Sequence, residues 1–258
     1  MPVKHQLTCQ GFCAHCNRTH SLPTGGAAYE QAQTLLAELT NQESLNIFSS
    51  RPAGQYSTAP LWGEARGKMF GVLECLNQKK EQVFLYAFSG QYTGTWLIPG
   101  WAPPLFDIDQ YHTVNNYNER RVKKMSLHID KLTRETPRSA IIPLLKKQRK
   151  KLSQQLMRAL HALYEVHNFQ GNCQGLAQAL TGLRGIPTGT GDCCAPKLIN
   201  SAATQGLVPL SIAEFYFGRE NRSASRKHGH FYSSCTTKCT PLLGFMLCGS
   251  HTKGKDKR

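Results

Sequence analysis

Two cysteine clusters in the last third of the chain constrain its fold more than any other feature. Cys193 follows a Gly-rich turn, and Cys235 and Cys239 follow a basic loop; one short apolar strand is predicted between the clusters, at residues 210–217. Helices are predicted from Cys193 to residue 205 and from Cys235 onward. Because helix N-termini lower the pKa of thiols, Cys193, Cys235 and Cys239 are candidate ligands of one zinc ion.

The sequence leaves the fourth position of such a site open. Water, Cys194, His228 or His230 can each fill it, and zinc with three protein ligands and a water molecule is typical of catalytic sites. The alternative interpretation has no metal: the cysteines are buried at helix starts, and the two histidines contact RNA phosphate or are simply exposed.

A second candidate zinc site lies in the N-terminal segment, residues 1–22. Cys9, Cys13, Cys16 and His20 follow the spacing C-x3-C-x2-C-x3-H, and four soft ligands this close can complete a tetrahedral structural site. A segment this short cannot bury a core of its own, so a metal would supply its stability. We therefore expect one or two zinc ions, structural in role. The alternative is a flexible arm with free thiols.

The cellular compartment is inferred from what the sequence lacks. The first residues, MPVKHQ, are not the apolar stretch of a secretory signal, and no run approaches the roughly 18 apolar residues of a membrane span. We expect a cytoplasmic protein with no membrane partner. There, ten cysteines are more often thiols and metal ligands than disulfides. Cys75, Cys173 and Cys248, outside the clusters, are interpreted as ordinary thiols.

Basic charge is concentrated in one stretch. The chain has a net charge of +15, and residues 120–158 hold 13 Lys and Arg but only two acidic residues, a local net charge of +11. Apolar residues recur there at the spacing of a coiled-coil seam, which predicts a helical hairpin. A face kept only for solubility would mix charge signs, so we expect contacts to an RNA backbone, although a solvated surface is the alternative. The candidate RNA-binding residues are Arg120, Arg121, Lys123, Lys124, Lys146, Lys147, Arg149, Lys150 and Lys151.

The predicted fold class is α/β (α+β): a small sheet flanked by helices, with an inserted long basic helical hairpin and an N-terminal zinc-knuckle-like segment. Helical spacing at 29–39 and strand-like runs at 69–76 and 82–88 supply the rest of the core. The predicted domain boundaries are 1–22 for the knuckle, 23–112 for the first half of the core, 113–168 for the hairpin, 169–249 for the second half of the core, and 250–258 for a disordered tail.

This order of elements resembles that of zinc-dependent cytidine and adenosine deaminases. The resemblance implies a deaminase-like sheet, zinc ligands at Cys193, Cys235 and Cys239, and a glutamate two residues after the first ligand that shuttles protons. The chain departs from that pattern twice: residue 195 is alanine, and the second pair is spaced C-x3-C instead of C-x2-C. Asp192 and Glu214 are substitutes only if the fold brings one of them to the site.

A second resemblance covers nearly the whole chain. Several unlike segments, in one order, resemble the N-terminal extension of bacterial RNA pseudouridine synthases of the RluA type: GKMFGVL (67–73), YAFSG (86–90), KLSQQL (151–156), GDCCAPKL (191–198), AEFYFG (213–218) and HGHFY (228–232). The resemblance implies rRNA or tRNA as partner, together with a pseudouridine synthase catalytic domain. The Arg-Leu-Asp signature of that domain is absent from this chain, so no catalytic residue is assigned from it.

The sequence therefore supports one leading hypothesis and two alternatives. The leading hypothesis is an RNA-binding zinc module associated with RNA pseudouridine synthesis. The first alternative is a zinc-dependent deaminase of a nucleobase or nucleotide, which requires an open metal position with a carboxylate beside it. The second is a protein-interaction scaffold that binds no RNA.

Overall fold

A computed structural model describes residues 7–48, 56–180 and 185–250. Its helices and strands follow one another as β1 (Cys9–Cys13), β2 (Arg18–Leu22), α1 (Gly26–Gln42), β3 (Lys68–Leu76), β4 (Gln82–Phe88), α2 (Ile108–Glu135), α3 (Ile141–His161), β5 (Glu165–His167), β6 (Cys173–Gly175), α4 (Leu176–Ala179), α5 (Cys194–Thr204), β7 (Val208–Phe217) and α6 (Thr240–Met246). A short 3₁₀ helix (Ala59–Trp62) precedes β3. The mixed α/β class predicted from the sequence is confirmed.

A three-stranded antiparallel sheet forms the centre of the molecule. Its strand order is β4-β3-β7, with β3 in the middle. Successive residues of β3 face opposite sides of the sheet, and both sides are covered: Phe70 and Val72 belong to one apolar cluster, Leu73 and Cys75 to another. Cover on both faces explains why the strand is apolar at nearly every position.

Helices cover both faces of this sheet. Helix α1 buries Ala28, Ala32, Leu35 and Leu39, at helical spacing, in the same cluster as Phe70. Helices α5 and α6 lie in the other cluster and bury an almost continuous set of side chains, including Leu198, Ile199, Leu242 and Leu243. The two cysteine clusters of the sequence are therefore on the same side of the sheet.

The β1–β2 hairpin packs on α6 through two glycines. A Cβ atom added at Gly11 would collide with the backbone of Gly244, and one added at Gly244 would collide with the backbone of Phe12. Strand and helix backbones therefore touch without a side chain between them. This contact places the N-terminal hairpin against the C-terminal helix.

Helices α2 and α3 pack against each other and lie between β4 and α5 in the sequence. The Asp107 side chain caps α2 by accepting a hydrogen bond from the Gln110 N–H at 2.8 Å. The seam between the helices buries Ile129 on α2 and Ile142, Leu156 and Leu160 on α3. Among the described residues, no helix combines the length and the hydropathy that a membrane span requires.

The last helix begins later than the sequence indicated. Helix α6 starts at Thr240, and Cys235 belongs to the turn before it. The N–H groups of Cys239 and Thr240 both donate to the Cys235 carbonyl, at 3.1 and 3.0 Å, which closes that turn. Residues 251–258, predicted as a disordered tail, lie outside the described residues, as do residues 1–6 of the predicted knuckle.

Candidate metal centres

Four potential ligands meet where the N-terminal hairpin touches the end of α6. The ligand atoms of Cys13, Cys16, His20 and Cys248, called here the N-terminal cysteine group, all lie within 4.8 Å of one another. Cys16 Sγ is 3.0 Å from His20 Nε2. Cys13 and Cys248 are buried, and Cys16 and His20 are half-buried. Three thiols and one imidazole form a complete ligand set for tetrahedral zinc.

Each ligand of this group is placed by backbone structure. Cys13 ends β1 and His20 lies on β2, and the turn between them includes Asn17 in the left-handed region (φ 56°). Cys248 follows α6, and its backbone is fixed at both ends: its carbonyl accepts from the Phe169 N–H at 3.0 Å, and its N–H donates to Phe245 at 3.1 Å. The contact between Gly11 and Gly244 brings the two parts together.

The sequence identified three of these four ligands. Cys9, the fourth predicted ligand, is not a member of the group; Cys248, interpreted above as an ordinary thiol, is. The reason is strand geometry: four residues of extended chain separate Cys9 from Cys13 by about 13 Å, too far for one ion. Cys9 is instead fully buried, and its thiol hydrogen-bonds to the Ser234 side chain.

The second group stands at the starts of α5 and α6. The sulfur atoms of Cys193, Cys235 and Cys239, called here the C-terminal cysteine group, lie within 4.8 Å of one another. Cys193 and Cys239 are the N-cap residues of α5 and α6. The Cys235 carbonyl closes the turn before α6, and this turn brings the Cys235 thiol close to that of Cys239. The thiols of Cys193 and Cys239 hydrogen-bond to that of Cys235 and lower its pKa, so Cys235 is the first of the three to ionise.

The other candidate ligands lie elsewhere. Cys194 Sγ donates to the Met69 carbonyl at 3.2 Å within the core. His228 Nδ1 accepts from the Gly218 N–H at 3.2 Å, and its ring lies against Trp62. His230 is exposed and outside the group. Within residues 7–48, 56–180 and 185–250, the C-terminal cysteine group therefore has three protein ligands, which leaves a fourth tetrahedral position.

A buried carboxylate accompanies this group. Glu214, on β7, is 5% exposed and accepts hydrogen bonds from Ser234 Oγ at 2.5 Å and from the backbone N–H of Ala195. Burial raises the pKa of Glu214 to about 7, against the lowering effect of these bonds. Besides the larger effect of its hydrogen bond to Cys235, the charge of Glu214 raises the pKa of Cys193, and the charge of Cys235 raises the pKa of Glu214. The carboxylate and the thiols therefore interact electrostatically, although Glu214 is not among the ligand atoms that lie within 4.8 Å of one another.

Gly71 makes room for the Glu214 side chain. The two residues face each other across β3 and β7, and a Cβ atom at Gly71 would lie 3.4 Å from Glu214 Cγ and 2.8 Å from Cys194 Cβ. Any larger residue at position 71 would push against both α5 and the carboxylate. The missing side chain of Gly71 therefore lets Glu214 lie under the start of α5.

Asp192, the other acidic neighbour in the sequence, has different surroundings. Tyr164 Oη donates to Asp192 Oδ1 at 2.7 Å. Burial raises the pKa of Asp192, while the Tyr164 hydrogen bond and the nearby Lys197 and Lys238 ammonium groups oppose the rise. This carboxylate is held by a phenol and lysines, whereas Glu214 interacts with the thiols.

A third group lies on the short β5–β6 hairpin. Ligand atoms of Glu165, His167 and Cys173 are within 4.8 Å of one another, and His167 pairs with Cys173 across the strands. Glu165 and Cys173 are exposed. Exposed acidic groups are common without an ion, so this group carries no functional argument.

The nine candidate RNA-binding side chains are all exposed on α2 and α3. The two helices differ in how their charge is neutralised. On α2, Lys123 pairs with Glu119 at 2.9 Å and Lys131 with Glu135 at 3.9 Å. Helix α3 has six Lys and Arg residues and no acidic residue, and none of the six forms an ion pair with the described residues.

Both cysteine groups are geometrically able to bind a metal ion, and their thiol-rich donor sets fit zinc. No protein-family model matches the chain, and no curated protein or solved structure matches it significantly.

Proposed function

We propose that the protein is an RNA-binding zinc module associated with RNA pseudouridine synthesis, as an accessory or N-terminal part of an RNA pseudouridine synthase. The observation that carries RNA binding is the charge of α3, where six exposed cations have neither an acidic residue on their own helix nor an ion-pair partner in the described chain. Such a surface repels itself unless an anion neutralises it. The phosphate backbone of RNA is the polyanion that suits it, and the link to pseudouridylation is drawn from the resemblance to RluA-type extensions.

In this function the N-terminal cysteine group has a structural role. Cys13, Cys16, His20 and Cys248 supply four ligands, which leaves no position for substrate on a tetrahedral ion. A zinc ion there would fasten the β1–β2 hairpin to the end of α6. The hairpin buries few side chains of its own, so such a fastening stabilises it directly.

Charge reversal on α3 tests RNA binding. We expect the double variant Lys147→Glu, Lys150→Glu to bind a structured RNA more weakly and to reduce the salt dependence of binding by about two phosphate contacts. The matched control is Lys79→Glu, Lys80→Glu, which makes the same charge change in the exposed β3–β4 turn. Equal losses in the two variants would indicate unspecific electrostatics, and unchanged binding in the α3 variant would contradict the proposal.

A second function, hydrolytic deamination of a nucleobase, is favoured by one specific observation. The C-terminal cysteine group leaves a fourth ligand position among the described residues, and the buried carboxylate of Glu214 interacts electrostatically with the thiols of Cys193 and Cys235. The order α1, β3–β4 hairpin, α5, β7, α6, with α1 on one face of the sheet and α5 and α6 on the other, supports the deaminase-like arrangement. Glu214 would then replace the glutamate that is missing at position 195.

The chemistry of that function is divided between the ion and the chain. The thiolates of Cys193, Cys235 and Cys239 would hold the zinc ion, which would supply Lewis-acid chemistry for the activation of water. Glu214 would be the general acid and base, accepting a proton at its Oε atoms and delivering it to the leaving amine. Ser234 and the Ala195 N–H orient the carboxylate, and its burial keeps bulk water away.

Replacement of one carboxylate oxygen tests this function. We expect Glu214→Gln to keep its zinc and to lose at least about 100-fold in any deamination of cytidine, adenosine or an RNA containing them. The control is Glu74→Gln, on β3 of the same sheet, whose carboxylate accepts from Ser211 instead. Deamination that is undiminished in Glu214→Gln, or a fourth protein ligand on the zinc in X-ray absorption spectra, would overturn this function.

A further inference from the structure

A large cleft opens along one side of α3, and no function described so far uses it. Its volume is about 1100 Å³, and it separates α3 from the β6–α4 segment and from residues 185–188. A space of this size exceeds what a single nucleotide needs. We call it the α3 cleft. The α3 wall is formed by Ser153, Gln154, Met157, Arg158 and His161, and the opposite wall by Gly175, Leu176, Ala177, Gln178, Ile186 and Thr188.

His161 is the most informative residue of this wall. It is 7% exposed, and its Nε2 atom is buried with no hydrogen-bond partner among the described residues. An unsatisfied buried nitrogen is rare in folded proteins because it loses its bond to water without replacement. Burial also lowers the pKa of His161, which favours the neutral ring. Its Nε2 lies beneath the cleft wall with an unused hydrogen-bonding capacity, and a rotation of the ring would bring it to a ligand in the cleft.

The remaining lining fits a flat, partly apolar group attached to an anion. Met157 and Ile186 supply apolar surface, and Arg158 is an exposed cation one helical turn from His161. This combination of apolar walls and one fixed polar atom is the usual composition of a small-ligand site. A nucleobase with its phosphate has both parts.

The cleft lies on the same face of α3 as part of the basic surface. Lys147, Lys150, Gln154, Met157 and His161 follow one another at three- and four-residue steps, so they share that face. Lys150 and His161 are eleven residues apart, which is about 16 Å along the helix. A strand held by the lysines can therefore continue to the cleft.

We propose that the α3 cleft binds a single unstacked nucleobase of the RNA strand whose backbone α2 and α3 hold. The proposal rests on the RNA-binding function above and adds a base-recognition site to it. After a rotation of the ring, His161 Nε2 hydrogen-bonds to the base edge, Met157 and Ile186 contact its faces, and Arg158 contacts the adjoining phosphate. Sequence-specific RNA recognition commonly uses bases turned out of the stack in this way.

Two contacts link the walls of the cleft to the segments that carry the C-terminal cysteine group. Lys238, between Cys235 and Cys239 in the sequence, donates from Nζ to the carbonyl of Thr188 at 2.7 Å, and Thr188 lines the cleft. On the α3 side, the His161 ring lies 6.0 Å from that of Tyr164, which holds Asp192 next to Cys193. Both walls are therefore tied to the elements that carry the thiols.

The test compares RNA with and without a base. The zinc-loaded full chain is titrated with a single-stranded RNA 12-mer and with the same strand made abasic at every position in turn. We expect at least one abasic position to weaken binding by about tenfold, as loss of one stacked base does. His161→Ala and Ala177→Trp, which fills the cleft from the exposed opposite wall, should both abolish this difference. His128→Ala, an exposed histidine on α2, is the control and should keep it.

The outcomes separate this proposal from RNA binding itself. If the intact chain binds every abasic strand as tightly as the complete RNA, the base site is wrong while RNA binding stands. The same conclusion follows if Ala177→Trp and His161→Ala retain the tenfold difference. If the chain binds neither strand, RNA binding itself is wrong. Lys147→Glu, Lys150→Glu should weaken both strands equally, because those lysines contact phosphate only.

Discussion

Both cysteine groups offer thiols to a metal ion, but only the N-terminal group supplies four protein ligands among the described residues. The N-terminal group joins parts of the chain more than 200 residues apart and has four ligands, including His20. The C-terminal group joins the starts of two neighbouring helices, has three ligands in the described chain, and interacts electrostatically with the buried carboxylate of Glu214. What completes the coordination distinguishes a site that holds the fold from a site that can do chemistry.

The two cysteine groups also differ in how much apolar core surrounds them. The β1–β2 hairpin buries little besides Cys9, Cys13 and Leu22, so it has almost no core to hold it in place. Helices α5 and α6 are packed into the main apolar cluster along most of their length. An ion at the N-terminal group therefore contributes more to stability than one at the C-terminal group.

The largest effect is expected from removing one ligand of each group in turn. Cys248→Ser should lose one zinc ion and about 4 kcal/mol or more of unfolding free energy, because a closed metal site is lost with the hairpin it holds. Cys235→Ser should also lose one zinc ion but only about 1 to 3 kcal/mol, because α5 and α6 remain packed. Zinc content and urea unfolding of both variants measure these effects.

Equal destabilisation by the two substitutions would contradict this difference between the groups. A zinc content of one per chain in the unmodified protein would also contradict it, and the variant that then lost no zinc would identify the group that binds none.

An intermediate effect is expected at the glycine contact. Gly11→Ala forces strand and helix backbones apart and should cost about 1 to 3 kcal/mol, as overpacking does. The displacement also moves Cys13 from Cys248, so the zinc of the N-terminal group should be bound more weakly while that of the C-terminal group is unchanged. Gly63→Ala is the control, because its added Cβ would lie 3.7 Å from the Pro60 carbonyl oxygen, an ordinary contact.

Chelator titration of the two variants measures this effect. Unchanged zinc affinity in Gly11→Ala would show that the backbone contact does not hold the ligands together.

Local patterns predicted most of the elements, and contacts between distant parts of the chain account for what the sequence did not show. Periodicity was sufficient for α1, for the β3–β4 hairpin and for β7, because each pattern reports which side chains face the core. Cys248 is far in the sequence from Cys13, Cys16 and His20, so no local spacing marks it as a ligand. The packing of Gly11 on Gly244 brings it to the group. Glu214 is 21 residues from Cys193, and only the pairing of β3 with β7 and the space at Gly71 bring it close.

Cys9 shows where spacing misleads. Its position four residues before Cys13 fits a knuckle in which the chain curls around an ion. In the structure those residues form a strand, so Cys9 and Cys13 lie at opposite ends of β1. Cys9 contacts Ser234, whose hydroxyl donates a hydrogen bond to Glu214. Cys9 is therefore a ligand of neither group and instead contacts Ser234, the residue that holds Glu214.

The smallest effect is accordingly expected from Cys9→Ser. The zinc content should stay unchanged, and the unfolding free energy should fall by about 1 to 2 kcal/mol, because a buried apolar sulfur is replaced by a hydroxyl that can still bond to Ser234. Cys13→Ser, four residues away on the same face of β1, is the matched comparison and should lose one zinc ion. If Cys9→Ser also lost zinc and Cys248→Ser did not, local spacing would determine the N-terminal ligand set, and the closure of the hairpin onto α6 would have another cause.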